Sequence, residues 1–128
     1  EALIHAMIEN GKKYYFMECM QPEKEKHLLI GYTEKQYKWC AGSEGEIWKF
    51  YNEHDLFYSQ NYMEHTRHIG DGALTVGMPE GAPGNVGSWV GWQIVNQYVT
   101  NAAGKVSLKE LLATPPATIL AKSNYKPK

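Results

Sequence analysis

A chain of 128 residues with a net charge of −1, its 13 basic and 14 acidic side chains interspersed, suits a single domain with a sizeable core. That balance excludes a basic face tracking nucleic-acid phosphates, and no run approaches the roughly 18 apolar residues of a membrane span. Two cysteines, Cys19 and Cys40, are too few for a disulfide scaffold and lack metal-type spacing, which leaves two buried thiols or one bridge.

In chain order, Leu3, Ile4, Met7, Ile8, Gly11, Tyr14 and Tyr15 recur in steps of three and four, predicting an amphipathic helix over residues 2–19. Gln21-Pro22 ends it, because proline lacks a donor and disfavours helix just before itself. His27 to Tyr32 reads as a short apolar connector. Thr33-Glu34-Lys35-Gln36 matches a capping box and starts a second helix running to about Asn52, with a bend at Gly42 or Gly45. Its stripe is Tyr37, Cys40, Glu44, Ile47, Trp48 and Tyr51, and Glu44 is the misfit. From Asp55 to Gly84 periodicity disappears. Ala73 to Met78 has the pattern of a short strand inside a long glycine-rich loop, and such loops are commonly functional.

Pro83 to Tyr98 is the most apolar stretch, and reads as the central helix. Asn85 is the expected N-cap. Val86, Val90 and Ile94 fall at spacing four, and Trp89, Val95 and Tyr98 widen the stripe until most of the circumference is apolar, as in a buried helix. Gly87 and Gly91 lie one turn apart. Each costs about 1 kcal/mol of helix propensity relative to alanine, so a close approach of another helix or of a ligand is expected to offset it. Ser107-Leu108-Lys109-Glu110 is a second capping box opening a short helix. Thr114-Pro115 then places a cap and a first-turn proline before a last helix, Pro116 to Ser123.

Catalytic chemistry finds little support in the residues. His65 and His68 are three apart, and His5 and Glu9 four apart on the first helix, but a zinc hydrolase needs three ligands and a catalytic carboxylate, and no H-E-x-x-H occurs. The possible strand, glycine-rich loop and helix lack both phosphate-binding fingerprints. Neither G-x-S-x-G nor a catalytic cysteine setting is present. The strongest clue is a polar group on an apolar face. A buried Glu44 needs a partner: Arg67 is the first candidate because its forked donors suit carboxylates, and Tyr58 or a loop amide is the second. Gln93, beside Trp89 and Trp92, is either a satisfied core amide or a ligand contact.

The order I-G-Y-T-E-K-Q-Y-K-W-C (Ile30 to Cys40), E-G-E-I-W-K-F (Glu44 to Phe50), L-F-Y-S (Leu56 to Ser59), G-N-V-G-S-W-V-G-W-Q-I-V (Gly84 to Val95) and V-S-L-K-E-L-L (Val106 to Leu112) resembles GldB, the gliding-motility lipoprotein family of Bacteroidetes. M-I-E-N-G-K-K-Y-Y-F (Met7 to Phe16) and K-S-N-Y-K-P-K (Lys122 to Lys128) continue the match. The resemblance implies the C-terminal part of a longer exported lipoprotein at the cell envelope, periplasm-facing or in the outer membrane. The membrane would be reached only through a lipid anchor outside this chain. The family is distantly similar to zincin-type metallopeptidases, in which a glutamate before a glycine ligates the metal. Asn10 stands at that position here, before Gly11, with Glu9 one residue off register.

The expected fold is therefore mainly α: four to five helices with a long irregular loop, forming the C-terminal part of a zincin-like fold. The expected role is that of a non-catalytic envelope domain acting through an unidentified envelope protein partner, with no nucleic acid and no cofactor. The alternatives are the C-terminal half of a metal-dependent peptidase and a ligand-binding envelope domain. The site residues under these readings are Glu44, Arg67, Tyr58, Trp89, Trp92 and Gln93, and the only candidate metal ligands are the incomplete pair His5 and Glu9.

Overall fold

The computed structural model describes residues 2–70 and 81–127, and every regular element among them is helical. Chain order is α1 (Leu3–Met20), α2 (Lys26–Ile30), α3 (Glu34–Gly42), α4 (Glu44–Glu53), α5 (Tyr62–Ile69), α6 (Val86–Ala102), α7 (Leu108–Ala113) and α8 (Pro116–Ser123). Among the described residues, eight helices stand where four to five were expected, for three local reasons. The connector at His27 to Tyr32 closes one helical turn because Gly31 adopts φ 79°, a left-handed conformation open to glycine. Its N–H and that of Tyr32 then satisfy the carbonyls of Leu28 and His27. The bend near Gly42 is a full break: Ser43 ends α3 and starts α4. Helix α5 sits where no apolar period was visible, because the side chains it buries are the imidazoles of His65 and His68. The strand expected at Ala73 to Met78 lies outside the described residues.

Both capping boxes form. The Thr33 hydroxyl accepts from Gln36 N–H and the Gln36 side chain accepts from Thr33 N–H; Ser107 and Glu110 do the same for α7. Pro115, not Thr114, takes the cap position of α8 and Pro116 its first turn, because Thr114 ends α7 as its C-cap. Asn85 holds the cap position of α6, but in a left-handed conformation (φ 58°) with no capping bond from its side chain. Its amide nitrogen instead donates to the Tyr14 hydroxyl at 3.1 Å. Helix α1 is capped from a distance, since Ala2 offers no side-chain acceptor. The N–H groups of Leu3 and Ile4 donate to the carbonyls of Ser59 and Phe57 at 3.0 and 2.8 Å.

Helix α6 is the centre, buried along almost all of its first three turns. It packs most extensively on α1, then on α8 and α5. The α1–α6 crossing is set by glycine. A Cβ on Gly91 would overlap the Met7 carbonyl of α1, and one on Gly11 would overlap the Gly91 carbonyl carbon. Gly87 faces α5 in the same way, with a Cβ 2.7 Å from the His68 carbonyl oxygen. Helix packing, not ligand access, thus offsets both glycines of α6. Around this crossing, α4 adds Ile47 and Tyr51, α7 adds Leu111 and α8 adds Ile119, all buried. The thiols are both free: Cys19 is exposed and Cys40 buried, where burial pushes its pKa up to about 12. Neither a bridge nor a pair of buried thiols is formed.

Candidate functional site

Glu44 lies in the first turn of α4, half-buried, because the break at Ser43 rotates it off the apolar stripe. A carboxylate is favoured there by the positive end of the helix. Its partner is the Tyr125 hydroxyl, which donates to Oε2. Burial first, and then this hydrogen bond, push the Tyr125 hydroxyl well above the usual tyrosine range. The Tyr125 ring stands edge-on to Trp48 at 5.1 Å, and Trp48 meets Phe57 at 4.5 Å. The expected pairing with Arg67 is not formed: Arg67 is exposed on the last turn of α5. Tyr58 does not reach Glu44 either. It is 69% exposed on the rim of a pocket of about 230 Å³ shared with Tyr51, Asn52, Asp55 and Phe57. Tyr125 escaped the sequence reading because it lies 81 residues from Glu44, and no local pattern links a terminal tyrosine to a distant helix start.

The size of the Glu44 effect follows from this geometry. A hydrogen bond to a charged group contributes about 1.5–3 kcal/mol, and half-burial favours the lower part of that range, so Glu44→Ala should cost about 2 kcal/mol in a denaturant titration. A double-mutant cycle with Tyr125→Phe should show coupling above about 0.5 kcal/mol, while Arg67→Ala should simply add. Coupling to Arg67 instead would refute the assignment.

Trp89 and Trp92 are both buried on α6. The Trp92 indole N–H donates to Glu18 at 3.0 Å, and its ring meets Tyr14 at 5.6 Å and Tyr37 at 6.3 Å. Burial first, then the nearby Glu18 charge, raise the Tyr37 pKa against the opposing effect of the Trp89 indole. The Trp89 indole N–H faces the Tyr37 hydroxyl, whereas Gln93 Nε2 is shielded from solvent without a hydrogen-bond partner. Gln93 is therefore not a fully satisfied core amide.

The histidines are engaged separately. His65 Nε2 lies 2.8 Å from the Ser59 carbonyl, and His68 Nδ1 lies 2.9 Å from the Tyr51 hydroxyl. On α1, Glu9 pairs with the Lys12 ammonium at 2.8 Å, and His5 is half-buried one turn earlier. Asn10 donates to the Ser88 hydroxyl at 2.9 Å. Among the described residues no group of three or more His, Cys, Asp or Glu side chains converges as a metal site would require.

The surface carries the other distinctive feature. A shallow groove of about 320 Å³ runs between α1 and α7, lined by Glu9, Lys12, Lys13, Phe16, Met17 and Leu112. Phe16 is 40% exposed, Leu112 42%, and Met20, one turn beyond Phe16, 56%. Amphipathic spacing could have flagged Phe16 and Met20, at one-turn spacing on α1. Leu112 joins them only through the fold. No helix among the described residues is long and apolar enough to cross a membrane.

Neither the curated proteins nor the solved structures include a significant match to this chain. The model of the family described as gliding motility protein GldB, in contrast, matches residues 1–127. With the match running over nearly the whole sequence, the chain belongs to the GldB family of gliding-motility lipoproteins.

Proposed function

We propose that this chain is a non-catalytic domain of a cell-envelope lipoprotein that works by docking an envelope protein partner on the groove between α1 and α7. The supporting observation is that Phe16 and Leu112, large apolar side chains left in water, line one groove, with exposed Met20 one turn beyond Phe16 on α1. Contiguous exposed apolar groups on a folded domain mark interaction surfaces more often than they serve stability. Lys13 and the partly exposed Glu9 supply a polar rim of both signs, as protein interfaces have. In the intact lipoprotein, Phe16→Asp combined with Leu112→Asp should abolish surface motility in a gliding host. The protein should still accumulate and melt normally, because exposed substitutions cost little stability. Unimpaired motility would overturn the docking role.

The reading extends to ancestry and compartment. The helical scaffold is taken as the C-terminal part of a zinc-peptidase-derived fold in a Bacteroidetes envelope protein, carried to the periplasm-facing or outer membrane by an anchor outside this chain. Asn10, bound to Ser88, and Glu9, bound to Lys12, support the loss of metal function, since both are committed to other partners. The purified chain should hold no stoichiometric zinc after dialysis. About one zinc per chain by elemental analysis, lost on His5→Ala or Glu9→Ala, would restore the peptidase reading.

A further inference from the structure

Helix α4 closes over an unexpected residue. Leu56 N–H donates to the Tyr51 carbonyl at 3.0 Å and Asp55 N–H to the Asn52 carbonyl at 3.3 Å, the paired bonds that end many helices over a left-handed residue. Glycine is the usual occupant of that position, because a side chain is strained there. Here it is Asp55, at φ 53°. The chain thus keeps a carboxylate where glycine would be more comfortable. It also keeps it at the C-terminal end of a helix, which already carries partial negative charge. Among the described residues Asp55 forms no salt bridge. The nearest lysine in the sequence, Lys49, is paired with Glu53 at 3.7 Å.

Asp55 lines a pocket of about 230 Å³ together with Tyr51, Asn52, Phe57 and Tyr58. Tyr51 and Phe57 are buried, their rings stacked at 5.5 Å, while Tyr58 stands exposed at the rim. The aromatic floor is fixed in place. The Tyr51 hydroxyl lies 2.9 Å from His68 Nδ1, and the Phe57 carbonyl accepts from Ile4 N–H at 2.8 Å. Three aromatic side chains, one carboxylate and no basic lining residue select by charge. An anion would meet both the carboxylate and the negative end of α4. A neutral saccharide would leave that potential unanswered. A cation is favoured by the carboxylate, by the helix end and by the negative faces of the rings. An organic ammonium suits the lining better than a metal ion, which needs several oxygen ligands where this pocket offers one carboxylate.

We propose that the pocket between the end of α4 and Tyr58 binds an organic ammonium group, with Asp55 as its counter-charge and the Tyr51, Phe57 and Tyr58 rings as its aromatic wall. The pocket shares no residue with the α1–α7 groove and does not depend on that surface having a partner.

The test titrates the whole chain, isotope-labelled for NMR, with tetramethylammonium chloride, against sodium chloride at equal ionic strength and against glucose. Tetramethylammonium should give a saturable shift of the Asp55, Phe57 and Tyr58 signals that neither control produces. Tyr58→Ala should weaken that binding by about two- to fivefold, the effect of one exposed ring on a cation. Asp55→Gly should abolish it. That variant should also melt at or above the parent temperature, since glycine relieves the left-handed residue, so its loss of binding cannot be a loss of fold. Shifts that match those in sodium chloride, or binding that survives Asp55→Gly, would overturn the proposal. A response to glucose without one to tetramethylammonium would overturn it in favour of a saccharide site. An Asp55→Gly protein that melts below the parent would make the carboxylate a structural group and overturn it as well.

Discussion

Gly91→Ala should cost about 3 kcal/mol or more. Overpacking a core costs typically 1–3 kcal/mol because neighbouring side chains change rotamer to make room. No such relief exists here. The added Cβ would meet the Met7 carbonyl and then the Ile8 nitrogen, 2.9 Å away, both backbone atoms inside α1. Helix α1 would have to move away as a whole, opening its contact with α6, the most extensive in the fold. Against a total stability of about 5–15 kcal/mol, this should lower Tm by roughly 10 °C or more. Gly42→Ala is the matched control, because nothing lies within 4 Å of a Cβ there. It should be neutral or slightly stabilising, since alanine reduces the freedom of the unfolded chain. A Gly91→Ala protein melting within a degree or two of the parent would mean that α1 and α6 are not in backbone contact.

Lys12→Met should cost about 2–3 kcal/mol, which is unusual for a lysine. Only 6% of the Lys12 side chain is exposed, and its ammonium sits at the end of α7. It donates to the Thr114 carbonyl at 2.6 Å and the Leu112 carbonyl at 3.4 Å, with Glu9 at 2.8 Å supplying the counter-charge. The last carbonyls of a helix have no partner within it and carry its negative end, so a buried cation there is doubly favoured. Methionine keeps the aliphatic stem and removes every donor, leaving water to satisfy the carbonyls of a partly covered helix end. Hydrogen bonds from a charged donor contribute about 1.5–3 kcal/mol. The Glu9 pair adds little because the Glu9 side chain is 44% exposed, which screens it. Denaturant midpoints should fall for Lys12→Met and stay within about 0.5 kcal/mol for exposed Lys13→Met. Faster amide exchange confined to α7 would show where the loss acts. Equal midpoints for the two variants would mean that Leu111 alone docks α7.

Much of the fold was legible wherever a signal is local. The two S/T-x-x-E/Q boxes at Thr33 and Ser107, the proline stop after Gln21 and the apolar run of α6 each act within one or two helical turns. Their physics is therefore complete in the sequence, and the structure reproduces all four. The two glycines of α6 also announced a close approach, because their helix-propensity cost needs an offset wherever it arises. The family resemblance was legible for a related reason: ordered motifs spread over nearly the whole chain survive without any knowledge of contacts.

Tertiary structure decided everything that joins distant residues. Glycine marked a bend at Gly42 or Gly45, and the break falls at Ser43, but no local signal could show that it turns Glu44 to Tyr125. Helix α5 stayed hidden because its inward groups are imidazoles, whose burial depends on the Ser59 carbonyl and Tyr51 hydroxyl rather than on apolar spacing. No local pattern links Lys12 to the carbonyls of α7 that it binds across a separation of about 100 residues. Asn85 was expected to cap α6, yet Tyr14 claims its amide nitrogen and leaves its oxygen unpaired. Caps, turns and apolar periods are written in adjacent residues and act through short-range sterics and hydrogen bonds. The partner of a polar group on an apolar face is chosen by whichever helix packs over it, and only the folded chain makes that choice.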